Sequence, residues 1–204
     1  MAIRRRLFAA LYDTVSKGSE AAGLSDERRQ LLADAEGATL EIGAGTGLNL
    51  VHYPEGVTRL VLAEPDEHMR RRLVRRTAEV SSTAEVVDAS VERLPFPDAT
   101  FDTVVVTFVL CSVSSQEAAL AEIARVLKPS GRLLFLEHVC SDDPKVAKWQ
   151  DRIRPFYNLV GCNPNRATLV AIEASAFELE SVRHGDVPKA PKVERPMIVG
   201  TARR

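Results

Sequence analysis

A chain of 204 residues with 45% hydrophobic and 27% charged side chains carries enough apolar material for one generous buried core. Its formal net charge of -1 leaves no electrostatic footprint for nucleic acid. The 3 cysteines are widely spaced without a C-x-x-C pair, so spacing suggests neither a disulfide framework nor a zinc site, and a reducing, cytoplasmic setting is expected.

The N-terminal stretch places Arg4, Arg5 and Arg6 ahead of a short apolar run that Asp13 interrupts. That run is too short for an export signal, and no run approaches the roughly 20 residues that span a bilayer. Residues 1–36 are expected to be a helical lid, the alternative being weak contact of a basic amphipathic face with a membrane surface. Strands are expected at 38–42, 59–63, 84–88, 101–108 and 131–138, with helices at 47–52, 66–79 and 116–127 between them. The last helix sets Leu120, Ile123, Ala124 and Leu127 on one face and stops at Lys128-Pro129-Ser130-Gly131. Two final strands, 177–184 and 195–202, have only a polar, proline-bearing loop between them, which makes the last strand antiparallel. Alternating strand and helix implies one α/β domain with a mostly parallel, doubly wound sheet.

Chemistry concentrates where the first strand ends. Glu41-Ile42-Gly43-Ala44-Gly45-Thr46-Gly47 runs from an apolar segment into alternate glycines, a turn whose backbone N–H groups can approach a ligand. Glu64 closes the next strand, where a doubly wound domain grips ribose hydroxyls. Leu48 stands where a dinucleotide fingerprint has its third glycine, and no Lys-Ser pair follows as in a triphosphate loop. A nucleoside of modest charge fits, and S-adenosylmethionine is the expected cofactor.

These motifs, together with Asp88-x-x-x-Glu92-x-Leu94-Pro95-Phe96, Phe101-Asp102 and Glu122-x-x-Arg125-Val126-Leu127-Lys128-Pro129-x-Gly131, resemble the class I S-adenosylmethionine-dependent methyltransferases of the type 11 kind. A narrower likeness, to the group that includes animal alkyl-thiol methyltransferases, rests on three further segments. These are Asn49-x-x-x-Tyr53-Pro54-x-Gly56, the run Val106 to Val113 with Glu137-His138-Val139, and Gly161-Cys162-Asn163-x-x-Arg166-x-Thr168 behind Trp149-Gln150. The long hydrophobic N-terminal anchor of the animal proteins is not seen, which bears on membrane attachment and not on chemistry. The resemblance implies a Rossmann-like, seven-stranded sheet, a cofactor-binding core at 37–140, and substrate-side helices with a terminal hairpin at 141–204.

It also implies roles. Gly43, Ala44 and Gly45 would line the methionine portion of the cofactor, Glu64 would accept from the ribose hydroxyls, and Asp88 would accept from the adenine amino group beside the Ala89 amide. Met69 would pack near the adenine, Thr107 would offer its backbone, and Glu41, Gly47, Asn49 and Pro65 complete the cofactor set. His138 is the candidate general base, and Cys111, Trp149 and Arg166 are candidate acceptor-site residues, with Phe156, Tyr157, Cys162 and Asn163 nearby. The acceptor is expected to be a small, fairly apolar molecule, most readily a thiol, the alternative being a phenolic or quinone-like oxygen or carbon. Arg70, Arg71, Arg72, Arg75 and Arg76 read as a mostly solvated helix face, so no nucleic acid is expected. His52, His68 and His184 share no ligand spacing, so no metal is expected, and the oligomeric state stays open.

Overall fold

The computed structural model describes residues 2–80, 82–157 and 161–204, with side chains from residue 9 onward. Seven strands form one sheet: β1 (Gly37–Ile42), β2 (Val57–Ala63), β3 (Glu85–Val87), β4 (Phe101–Thr107), β5 (Leu127–His138), β6 (Glu178–Asp186) and β7 (Pro196–Arg203). Their order is β3-β2-β1-β4-β5-β7-β6, and β7 runs antiparallel to both its neighbours. This is the Rossmann-like, mostly parallel sheet with an antiparallel last strand that the sequence pattern implies.

The central strands carry continuous apolar runs, Val104–Val106 in β4 and Leu133–Leu136 in β5, because both faces are covered. Val104 and Val106 of β4, with Leu133 and Phe135 of β5, face Leu120 and Ile123 of α4 (Gln116–Val126) and Ile172 of α6 (Thr168–Glu173). The alternate residues Val105, Leu134 and Leu136 pack on the other face against Leu31 and Leu32 of α2 (Ser25–Leu32). A period of two distributes one run of side chains to two cores.

Several family motif residues are structural locks. Arg125 on α4 donates to the Phe96 and Leu94 carbonyls and to Asp98, while Glu122 accepts from the Leu94 amide. Asp102 accepts from the Ala38 amide and from Lys128, fastening the starts of β1 and β5 to β4.

The elements depart from expectation in two places. The helix expected at 47–52 is one 3-10 turn, Leu50–His52, because Tyr53 turns extended (ψ 130°) ahead of Pro54. The Lys128–Gly131 cluster does not end pairing: Leu127 already faces Phe101, and the register then shifts to Thr103 opposite Arg132. Ahead of the sheet, α1 (Ala2–Ser19) joins α2 through a π-helical turn at Glu20–Leu24. No described helix is long and apolar enough to cross a membrane, and the side chains of residues 1–8, on which the surface-contact expectation rests, lie outside those described.

Candidate active site

The glycine turn leaves β1 at the carboxyl edge of the sheet, where ligands of open α/β sheets bind. Gly43 sits at φ 64°, and a Cβ there would fall 2.6 Å from Cγ2 of Val109. Gly47 sits at φ 86°, where a Cβ would strike Leu50 and Leu73. Left-handed backbone and filled space both demand glycine. Glu41, Gly43, Ala44, Gly45, Asn49 and Thr107 line one small cavity of about 20 Å³, together with Tyr12, Arg28, Thr46 and Leu48.

A buried polar network backs that cavity. Glu41 accepts from Asn49 Nδ2 at 2.9 Å and from the Tyr53 hydroxyl at 2.7 Å. Burial pushes the Glu41 carboxyl up to about 7, against those two hydrogen bonds. The Arg28 guanidinium donates to Asn49 Oδ1 (3.0 Å), to Thr107 Oγ1 (3.2 Å) and to Glu20 (3.1 Å). Thr107 therefore engages through its hydroxyl, which Asn49 also reaches at 3.1 Å. Sequence reasoning missed Arg28. Its only sign is a cation that α2 holds 3% exposed, which the sequence does not display.

Glu64 ends β2 with one oxygen on the Gly45 amide and the other on the Asp66 amide, each at 2.8 Å. Burial raises its carboxyl, moderated by those amides. Asp66 caps α3 (Glu67–Glu79) by accepting from the His68 and Met69 amides, which sets Met69 in a buried position beyond an exposed Pro65. Asp88 is exposed and paired with Arg70 at 2.7 Å, and Ala89 beside it is buried. The arginine run is thus not wholly a solvated face: Arg76 pairs with Asp13 of α1 at 3.0 Å, and Thr46 of the glycine turn donates to the same carboxylate.

The opposite wall is built from β4, β5 and the segment at 161–168. Phe108 takes φ 59° just past β4, and the chain beyond it turns three amides onto one buried carboxylate. Val109 and Leu110 donate to Glu137 Oε1 at 2.7 and 2.9 Å, and Cys111 donates to Oε2 at 3.2 Å. Asn163 grips the Cys111 carbonyl through its amide and its side chain, and Arg166 donates to the Val113 carbonyl at 2.6 Å.

Those tethers bring Cys162 to 3.8 Å from Cys111 Sγ and 3.8 Å from His138 Nδ1, all three cysteines of the chain being free thiols. The hydrogen bond with Cys111, helped by His138, lowers the Cys162 thiol to about 5. Cys111 moves well above the usual thiol range, because its hydrogen bond to Cys162 and its burial both oppose ionisation. His138 also stacks on Phe108 at 4.4 Å between ring centroids. The structure does not bring Trp149 into this cluster: on α5 (Pro144–Tyr157) it is 58% exposed, with Arg152 over its ring, and Phe156 is 70% exposed. The buried residue of that helix is Gln150, which donates to the Val139, Pro164 and Val193 carbonyls and accepts from the Ser141 amide.

A left-handed glycine turn, a carboxylate closing β2 and the strand order around them define a class I S-adenosylmethionine-dependent methyltransferase. Residues 40–135 match the family model described as a methyltransferase domain. The human thiol S-methyltransferase TMT1A is 35% identical over 169 residues, covering 80% of this chain and 69% of that protein. The ubiquinone/menaquinone biosynthesis C-methyltransferase UbiE of Escherichia fergusonii is 41% identical over 151 residues, covering 71% of this chain and 58% of the relative. Among solved structures, an S-adenosylmethionine-dependent methyltransferase of Thermotoga maritima superposes with a TM-score of 0.73 at 20% identity, covering 100% of this chain and 99% of the other. The chain belongs to the S-adenosylmethionine-dependent methyltransferase family, alongside the thiol S-methyltransferases.

Proposed function

We propose that this enzyme methylates the sulfur of a small, fairly apolar thiol. The observation that carries this reading is the reach of the similarity to the human thiol S-methyltransferase: 169 residues extend well beyond the matched core at 40–135 into the region that builds the acceptor wall. The cofactor supplies a sulfonium methyl already activated by positive charge, so the residues here contribute alignment and exclusion of water. A thiol near its ordinary pKa of about 8.5 is a few per cent thiolate at neutral pH and attacks without a strong base.

The residues fit that cofactor. Gly43, Ala44 and Gly45 present backbone to its methionine part, and Arg28 is the cation lining that cavity for the carboxylate. Glu64 keeps acceptor capacity on both oxygens for the ribose hydroxyls. Met69, Asp88 and Ala89 lie at the adenine end, with Arg70 sharing the Asp88 carboxylate. The helix α1, fastened by Asp13 to Thr46 and Arg76, serves as the lid. Cys111, Cys162, His138 and Arg166 frame the acceptor end, where His138 is the base that a neutral phenol would need. The three free thiols support a cytoplasmic place of action.

A second reading, methylation of a quinone-like carbon or oxygen, is favoured by the similarity to the C-methyltransferase UbiE. A panel of thiols, phenols and quinols, read as S-adenosylhomocysteine formed, separates the two. Alkyl thiols should turn over, with kcat/KM rising as pH approaches the thiol's own pKa. Turnover of quinols or phenols alone would overturn the first reading.

A further inference from the structure

Cys111, His138 and Cys162 are far apart in the chain, yet their two sulfurs and one imidazole nitrogen all lie within 4.8 Å of one another. Spacing along the sequence could not reveal this set, because the loop after β4, the end of β5 and the 161–168 segment each contribute one member. The dimensions are those of a coordination sphere. Two thiolates about 2.3 Å from a tetrahedral zinc ion stand about 3.8 Å apart, and a thiolate and an imidazole nitrogen about 3.6 Å apart. Cys162 Sγ lies 3.8 Å from both Cys111 Sγ and His138 Nδ1, and the remaining pair, Cys111 and His138, is within 4.8 Å.

We propose that Cys111, His138 and Cys162 bind a thiophilic divalent cation of the zinc class, with the fourth position open to the acceptor's sulfur. Two cysteines and one histidine with a free corner is a donor set of catalytic rather than structural zinc sites. Soft thiolates select such a cation over magnesium or calcium. The supports are rigid. Glu137 fixes the Cys111 backbone, Asn163 fixes the Cys111 carbonyl beside Cys162, and Phe108 stacks on the imidazole. Thr168 accepts from Gln116 and donates to the His138 carbonyl at 3.5 Å, bracing the third ligand. The site also adjoins the cofactor turn, since Val109, two residues before Cys111, fills the space against Gly43.

The role of the fourth position rests on the thiol reading above. An acceptor thiol binds the cation as a thiolate and releases its proton to solvent. The thiolate's electron pair then forms the new S–C bond to the sulfonium methyl as the old S–C bond breaks, leaving S-adenosylhomocysteine. The thioether product carries no charge, is a weaker ligand and departs.

The test uses the reduced full-length protein, stripped with a chelator and titrated with Co²⁺ as a spectroscopic probe, then with Zn²⁺ in competition. One equivalent of Co²⁺ should give sulfur-to-cobalt charge-transfer and tetrahedral d–d bands that Zn²⁺ abolishes. Cys162→Ala and, separately, His138→Gln should lose these bands while still binding S-adenosylmethionine, which shows that they fold. Absence of the bands in reduced wild type, or their full retention in Cys162→Ala, overturns the site. Added alkyl thiol should intensify the charge-transfer band of the Co²⁺ protein. Thiol methylation undiminished after stripping overturns the role of the fourth position. If the bands appear and only quinols are methylated, the thiol reading falls and the metal site stands.

Discussion

The two walls of the site differ in how far along the chain their parts come from. On the proposed cofactor wall, Glu41, the glycines, Asn49, Tyr53 and Glu64 lie within one strand-turn-strand unit and bond to one another, with Arg28 and Thr107 joining them from α2 and β4. The proposed acceptor wall joins Cys111, Glu137, Gln150, Cys162 and Arg166, and nearly every tether crosses from one element to another. A local unit can be recognised as a motif and reused. A wall assembled across the fold is specified by its tethers, so single substitutions should act on it cooperatively.

The largest expected effect tests that cooperativity. Glu137→Ala strands three buried amides, each costing about 1–3 kcal/mol, so the urea midpoint should fall by the equivalent of several kcal/mol. A loss under about 1 kcal/mol would show that the loop at 108–111 does not depend on this carboxylate. On the cofactor wall, Glu41 has its pKa raised from 4.5 to about 7 by burial, so the folded state binds a proton that the unfolded chain has released. Its contribution is complete below pH 4.5 and is lost as pH rises through 7, by roughly 3 kcal/mol. In Glu41→Gln, which mimics the protonated form, denaturation midpoints measured across this range should flatten; an unchanged slope would assign the loss elsewhere.

Gly43→Ala probes the seam between the walls. A left-handed alanine costs roughly 1–2 kcal/mol, and the clash with Val109 adds to it, so affinity for S-adenosylmethionine by calorimetry should fall tenfold or more. Adding Val109→Ala should recover part of that loss; no recovery would mean that backbone strain alone is responsible. Smallest of all, Trp149→Ala should shift stability by less than about 0.5 kcal/mol. A large rise in acceptor KM in that variant would instead bring the exposed ring into the acceptor site.

The same contrast governs what could be read from the amino-acid sequence. The glycine turn, Glu64 and the terminal hairpin are legible because residue type and close spacing carry their meaning. Arg28 was not legible, since an arginine on a polar helix gives no sign that it is buried against Thr107. Nor was the contact between Cys111 and Cys162, which depends on Asn163 and Glu137 folding two loops together. Trp149 drew attention by its type, whereas its plainer neighbour Gln150 is the buried one.

Gln150 joins three separate segments with one uncharged side chain, meeting the Val139 carbonyl and Ser141 amide of one stretch and the Pro164 and Val193 carbonyls of two others. It works like the pin of a cassette: with it in place, the outward positions of α5, Trp149 and Phe156 among them, can be exchanged while the frame stays put. Substitutions can accumulate on that helix surface while the segments that Gln150 joins keep their places.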